Sequence, residues 1–132
     1  MSDFDYNCRM GLSWIEHKGT KILHIDASNL GSDFAQLKTV LDSLTATLNK
    51  QSKDSVLGLA DLRNTMLNNS ILITLMSNAP LAAPYFRKSA LVIEPNRARR
   101  ILLDSFGQFV GKLPRRFESL EEAKNWLVSD EM

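Results

Sequence analysis

The sequence predicts a single α/β domain with the order β-β-α-β-α-β-α-β-α. It should form a mostly parallel five-stranded sheet with helices packed on it and an antiparallel first strand. Three observations carry this expectation. Short β-prone apolar runs alternate with stretches of helical periodicity along most of the chain. One of those runs, residues 55–62, is nearly continuously apolar, as a strand buried on both faces is, and residues 88–94 make a second central-strand candidate. The first two runs are separated by only Lys18-Gly19, which suits a hairpin and not a crossover.

Residues 12–17 alternate imperfectly and stop at that turn; residues 20–27 then carry Ile22, Leu23 and Ile25 as the second hairpin strand. Ser32 stands where an N-cap would accept a bond from a first-turn backbone N–H. Behind it Phe34, Leu37, Val40, Leu41, Leu44 and Leu48 fall at helical spacing, with Lys38, Asp42 and Asn49 on the other side. This helix should end over residues 50–53. After the strand at 55–62, Asn68 or Asn69 caps a second helix that opens with residues 71–76. Four of those six residues are Ile or Leu, which predicts a well-buried helix, and Pro80 and Pro84 should end or break it.

The strand at 88–94 is stopped by Pro95-Asn96. Residues 97–110 place Ile101, Leu102, Ser105, Phe106, Phe109 and Val110 on one helical stripe, with Arg97, Arg99, Arg100 and Gln108 on the polar side. Residues 113–117 read as a short edge strand, weakened by Pro114. Ser119 and Glu122 have the capping-box spacing and open a last helix whose buried stripe is Leu120, Ala123, Trp126 and Leu127.

With 132 residues, 44% hydrophobic and 23% charged, the chain has the composition of one globular domain with one core. Residues 1–10 read as a flexible N-terminal segment and 11–132 as the domain. Charge is uneven: residues 1–86 are nearly balanced, 87–116 hold eight basic and two acidic side chains, and 117–132 hold one basic and five acidic. A net charge of +1 lacks the broad positive surface that nucleic-acid binding needs. Cys8 is the single cysteine, so no internal disulfide can form, and no Cys/His cluster has metal-ligand spacing. Asp3 and Asp5 are wrong for a signal peptide, and residues 70–86 fall short of the roughly 20 residues of a membrane span. The expectation is a cytoplasmic protein without a transmembrane segment.

Several segments resemble one family. Trp14-Ile-Glu-His-Lys-Gly-Thr-Lys-Ile-Leu-His-Ile-Asp26 is similar to the first hairpin of SpoIIAA-like (STAS-like) bacterial proteins. So are Ser55-Val-Leu-Gly-Leu-Ala-Asp-Leu62, Tyr85-Phe-Arg-Lys-Ser-Ala-Leu-Val-Ile93 and Phe117-Glu-Ser-Leu-Glu-Glu-Ala-Lys-Asn-Trp-Leu-Val128. The resemblance covers about residues 11–129 and implies a small α/β domain related to anti-sigma-factor antagonists and to the lipid-binding SEC14-like group. In the antagonists, a partner kinase phosphorylates a serine in an Asp-Ser-Ser-Gly-like motif at a helix N-terminus. The comparable stretch here is Asn68-Asn-Ser-Ile71, with Ser70 the nearest counterpart and the Asp and Gly absent.

Candidate sites follow from chemistry and placement. Asp61, Arg63, Asn64 and Thr65 stand at the carboxyl end of a central strand, where α/β sheets gather ligand groups, and either contact a partner or make a polar turn. Asn69 and Ser70 continue that segment to a helix start. Arg97, Arg99 and Arg100 with Arg115 and Arg116 make either an anion patch or a solvated face balanced by Glu118, Glu121 and Glu122. His17 and His24 lie on adjoining hairpin strands and can pair across them, with no third ligand to complete a metal site. Tyr85, Phe86, Phe106, Phe109 and Phe117 line either a lipid pocket or the core. Nucleophile motifs and glycine-rich phosphate loops are missing, so no enzyme and no cofactor is expected.

These features lead to a non-catalytic regulatory or protein-interaction domain that binds another protein through residues 61–70 and the helix beginning there. The alternative is a small-molecule or lipid carrier of the SEC14-like type, with an apolar pocket near residues 71–86. A homodimer through a sheet edge or an apolar helix is compatible with either.

Overall fold

A computed structural model describes residues 11–30, 33–65, 69–93 and 115–130. Strands β1 (Leu12–His17) and β2 (Thr20–Asp26) form the expected hairpin. Lys18 and Gly19 both take positive φ, 53° and 82°, the backbone of a two-residue turn that matches strand twist. Helix α1 (Phe34–Leu48) is capped by Asp33 and not by Ser32, because the Asp33 carboxylate accepts from the Gln36 N–H at 3.0 Å. It stops at Leu48, earlier than its periodicity suggests, and turns bring the chain to Asp54, at φ 58°, and on to β3 (Val56–Asp61).

Helix α2 (Asn69–Ala82) runs through Pro80 instead of breaking there. Pro80 sits in the last turn, where a missing N–H costs a single internal bond, and Pro84 falls in the 3-10 turn Ala83–Tyr85 that follows. That turn is tied to the approach of β3, since Asp54 N–H donates to the Pro84 carbonyl and Ser55 N–H to the Tyr85 carbonyl. Strand β4 (Phe86–Val92) therefore starts two residues before the strand expected at 88–94. Strand β5 (Arg115–Phe117) and helix α3 (Leu120–Leu127) complete the described fold, with the Ser119 hydroxyl accepting from Glu122 N–H as its cap. The helix expected over 97–110, the segment 1–10 and Ser32 lie outside the described residues.

The sheet order is β1-β2-β3-β4-β5, with β1 antiparallel to β2 and every other pair parallel. Adjacent parallel strands joined by right-handed crossovers put α1 and α2 on one face. There Leu37, Val40, Leu41, Leu44 and Leu48 of α1 meet Leu12, Leu23, Ile25, Val56 and Leu91 of the sheet. The other face carries a smaller core, in which Ala123 and Leu127 of α3 cover Ile22, Leu59, Ala90 and Val92. Among the described side chains of α2, Ile73 and Leu81 are 64% and 61% exposed, and Phe34 at the start of α1 is 40% exposed. Among the described residues, no helix is long and apolar enough to cross a membrane.

Gly58 is required where β3 meets β4. A Cβ at this position would stand 2.4 Å from Cε1 of Phe86, so the aromatic ring occupies the space a side chain would need. Gly58→Ala is expected to destabilise the fold by about 1–3 kcal/mol through overpacking. In a Phe86→Leu background the same substitution should cost less than half as much, a coupling that a double-mutant cycle in urea measures.

Candidate functional site

The carboxyl ends of β2 and β3 lie in register, Asp26 beside Asp61, and each begins the same four-residue pattern: Asp26-Ala-Ser-Asn29 and Asp61-Leu-Arg-Asn64. In both, the aspartate Oδ1 accepts from the backbone N–H two residues on, Ser28 in one turn and Arg63 in the other, at 3.1 Å. In both, the asparagine takes the left-handed backbone, φ 59° and 60°, which Asn tolerates better than most residues. The turns are joined to each other. Ala27 N–H donates to the Asp61 carbonyl, Asn29 N–H to the Arg63 carbonyl, and the Asn64 amide to Asn29 Oδ1.

Thr65 fastens this rim from below. Fully buried, its hydroxyl donates to the Ala27 carbonyl and accepts from the Leu30 N–H. Asp61 is also buried, and its carboxylate takes the Arg63 guanidinium in two bonds, Nε to Oδ1 at 3.0 Å and Nη2 to Oδ2 at 2.7 Å. A fork of this kind is the strongest way to hold a carboxylate at a strand end. Of the residues expected to meet a partner, Asp61 and Thr65 thus frame the rim from inside, whereas Asn64 is exposed and Arg63 half-exposed. Asn69 and Ser70 form the first turn of α2; their side chains lie outside the described residues. Asn29 belongs to the same rim and was not singled out by sequence reasoning. The repeated Asp-x-x-Asn after two strands was the available signal.

The second candidate cluster divides. Arg115 lies over the rings of Phe117 and Trp126, at 5.7 and 5.4 Å, on the α3 side of the sheet. Arg116, its neighbour in an extended strand, projects to the opposite side. The two therefore do not form one patch, and Arg97, Arg99 and Arg100 lie outside the described residues. Lys88 supplies the charge that matters structurally here. Buried, it stands 4.2 Å from the Trp126 ring and donates from Nζ to the carbonyls of Trp126 (2.6 Å) and Ser129 (3.2 Å), capping the end of α3.

The histidines do not pair across the hairpin, because His17 stands opposite Thr20 and His24 opposite Ser13. His17 Nε2 instead meets Asn125 Oδ1 of α3 at 2.8 Å. Burial pushes the His24 imidazole below its usual 6.5, against the pull of Asp26 and Asp61, with Lys124 and Arg63 adding to the depression. The aromatic residues also separate: Tyr85 and Phe86 pack into the α1 face and Phe117 into the α3 face. Among the described residues, no group of three His, Cys, Asp or Glu side chains is placed to hold a metal ion.

Comparison of the chain with protein-family models, with characterised proteins and with solved structures gives no match.

Thr65→Val keeps the shape of the side chain and removes its hydroxyl, leaving the Ala27 carbonyl and Leu30 N–H to lose a buried partner. The variant should lose about 1–3 kcal/mol of stability in chemical denaturation. Thr65→Ser, which keeps the hydroxyl, should recover most of that loss.

Proposed function

We propose that this chain is a non-catalytic interaction domain that binds another protein through Arg63, Asn64 and the outward side of α2. One observation carries the reading: α2 presents Ile73 and Leu81 to solvent on the same side as Ser77 and Pro80, immediately after the braced rim. Large apolar side chains grouped on one exposed face mark interaction surfaces more often than scattered ones do. The rim is closed by its own hydrogen bonds, so little ordering entropy would be lost there when a partner docks. The resemblance of the hairpin, the central strand and the closing segment to SpoIIAA-like proteins supports the same class, in which a partner kinase meets the start of this helix. Among the described residues, Tyr85 and Phe86 lie on the opposite sheet face from Phe117, which argues against one pocket lined by all three and so against the carrier alternative.

The double substitution Ile73→Glu with Leu81→Glu tests the reading. Both sites are exposed, so stability should change by less than about 0.5 kcal/mol for each. Recovery of the specific partner from the host lysate, followed by quantitative mass spectrometry, should fall more than about tenfold. An unchanged set of recovered proteins would overturn the assignment. A stoichiometric apolar adduct in native mass spectrometry would move the account to carriage of a small molecule.

A further inference from the structure

Among the described strands β1 closes one side of the sheet, and its outer edge is open. Asp26 N–H donates to the Gly11 carbonyl at 2.6 Å, which makes these two residues a hydrogen-bonded pair of the antiparallel ladder. Such pairs alternate along a ladder, so Ser13, Ile15 and His17 also turn their backbone groups toward β2. The N–H and C=O groups of Leu12, Trp14 and Glu16 therefore point away from the sheet. They meet no hydrogen-bond partner among the described residues.

Natural edges refuse a further strand by being short, by a bulge, or by lysine or proline on the strand. β5, the other edge of the described sheet, is three residues long. β1 has six residues, pairs with β2 residue for residue, and holds neither lysine nor proline. Its half-buried Trp14 packs at the margin of the larger core and its half-buried Ile15 at the margin of the smaller one. A further strand at this edge would extend both cores.

We propose that the β1 edge is a self-association surface: two copies of this chain pair their β1 strands antiparallel about a two-fold axis at Trp14, joining two sheets into one. The register follows from the open groups. Centred on Trp14, the pairing sets Trp14 against its own copy and Leu12 against Glu16 of the other chain, so all three residues bond through both groups. Centring it one residue to either side leaves one of the three unpaired within β1. The seam is also complementary to itself. Glu16, the one carboxylate of the strand, faces Leu12 of the other copy and not its own like charge, and it has Lys21 across from it on β2. The two Trp14 rings stand side by side as a favourable cross-strand pair, and Ser13 faces Ile15 on the other side of the sheet. This edge shares no residue with the α2 surface proposed to bind another protein, so either reading can fail alone.

Sedimentation equilibrium from about 5 to about 500 μM should show the mass rising from one chain toward two, because so short a seam makes a weak, concentration-dependent dimer. Glu16→Pro removes an outward N–H and none that bonds β2, so it should weaken the dimer by about tenfold or more, whereas Glu16→Gln should leave it unchanged. Disulfide capture in a Cys8→Ser background reads the register. Oxidising a mixture of the Ser13→Cys and Ile15→Cys variants should link unlike chains faster than either variant alone links to itself. A chain that stays a monomer at every concentration overturns the proposal and leaves the edge to a strand from another source. A dimer that survives Glu16→Pro overturns it, as does one lost in the Ile73→Glu with Leu81→Glu variant, which would place the contact on α2. Should Glu16→Pro fail to fold, the capture experiment decides: no preference for linking unlike chains overturns it.

Discussion

A parallel sheet hides both of its faces, and in this chain the two covers are unequal. β3, the middle strand, has β2 and β4 on its flanks and apolar packing above and below. On one side, the fifteen residues of α1 supply a continuous stripe of five buried aliphatic side chains. On the other, the eight residues of α3 supply two. The thin side is where the unusual chemistry gathers: the buried Lys88 on the carbonyl end of α3, the orphan nitrogen of His24, and the Arg115 guanidinium over Trp126. A short helix that buries little apolar surface needs polar attachments to hold its place. Attachments of that kind respond to charge in a way that a leucine stripe does not.

The carboxyl rim is built on the opposite principle. Two Asp-x-x-Asn turns in register close on themselves and then on each other, so that nearly every polar group spent on the turn is paired within the rim. Burial of Asp61 is tolerable because Arg63 takes both of its oxygens; a lone carboxylate there would carry a large desolvation cost. Rigidity here and looseness at α3 are two consequences of where polar groups find partners.

Much of the fold could be read directly from the sequence. The Lys18-Gly19 turn, the stripe from Leu37 to Leu48 and the Ser119 cap are local signals, and each acts over a few residues. The errors have physical causes. Asp33 displaces Ser32 because both are good caps and only the backbone register decides between them. Pro80 does not break α2 where it stands, because a proline removes one N–H···O bond and the helix runs only two residues beyond it. The exposure of Ile73 and Leu81 was hidden because composition reports how apolar a helix is, and not which side of it the neighbours cover. The rim was legible only in part: Asp61 to Thr65 stood out as a polar run, whereas Asn29 is brought to them by a parallel pairing across 35 residues.

Local stability should follow the same division. The α1 stripe and the strands it covers form the larger core, whose opening would expose many apolar side chains at once. The α3 cover opens at the expense of Ala123, Leu127 and a few polar bonds, so it belongs to the low-stability end of the molecule. Trp126 sits at the centre of that small set, touched by Lys88, Arg115 and Phe117 together. Its indole nitrogen is itself buried without a partner among the described residues, so the ring is held by its face and not by its polar edge. The backbone at the same residue is held differently: the Trp126 carbonyl, with that of Ser129, takes the buried Lys88 ammonium of β4, so release of the helix end would leave that charge without its acceptors.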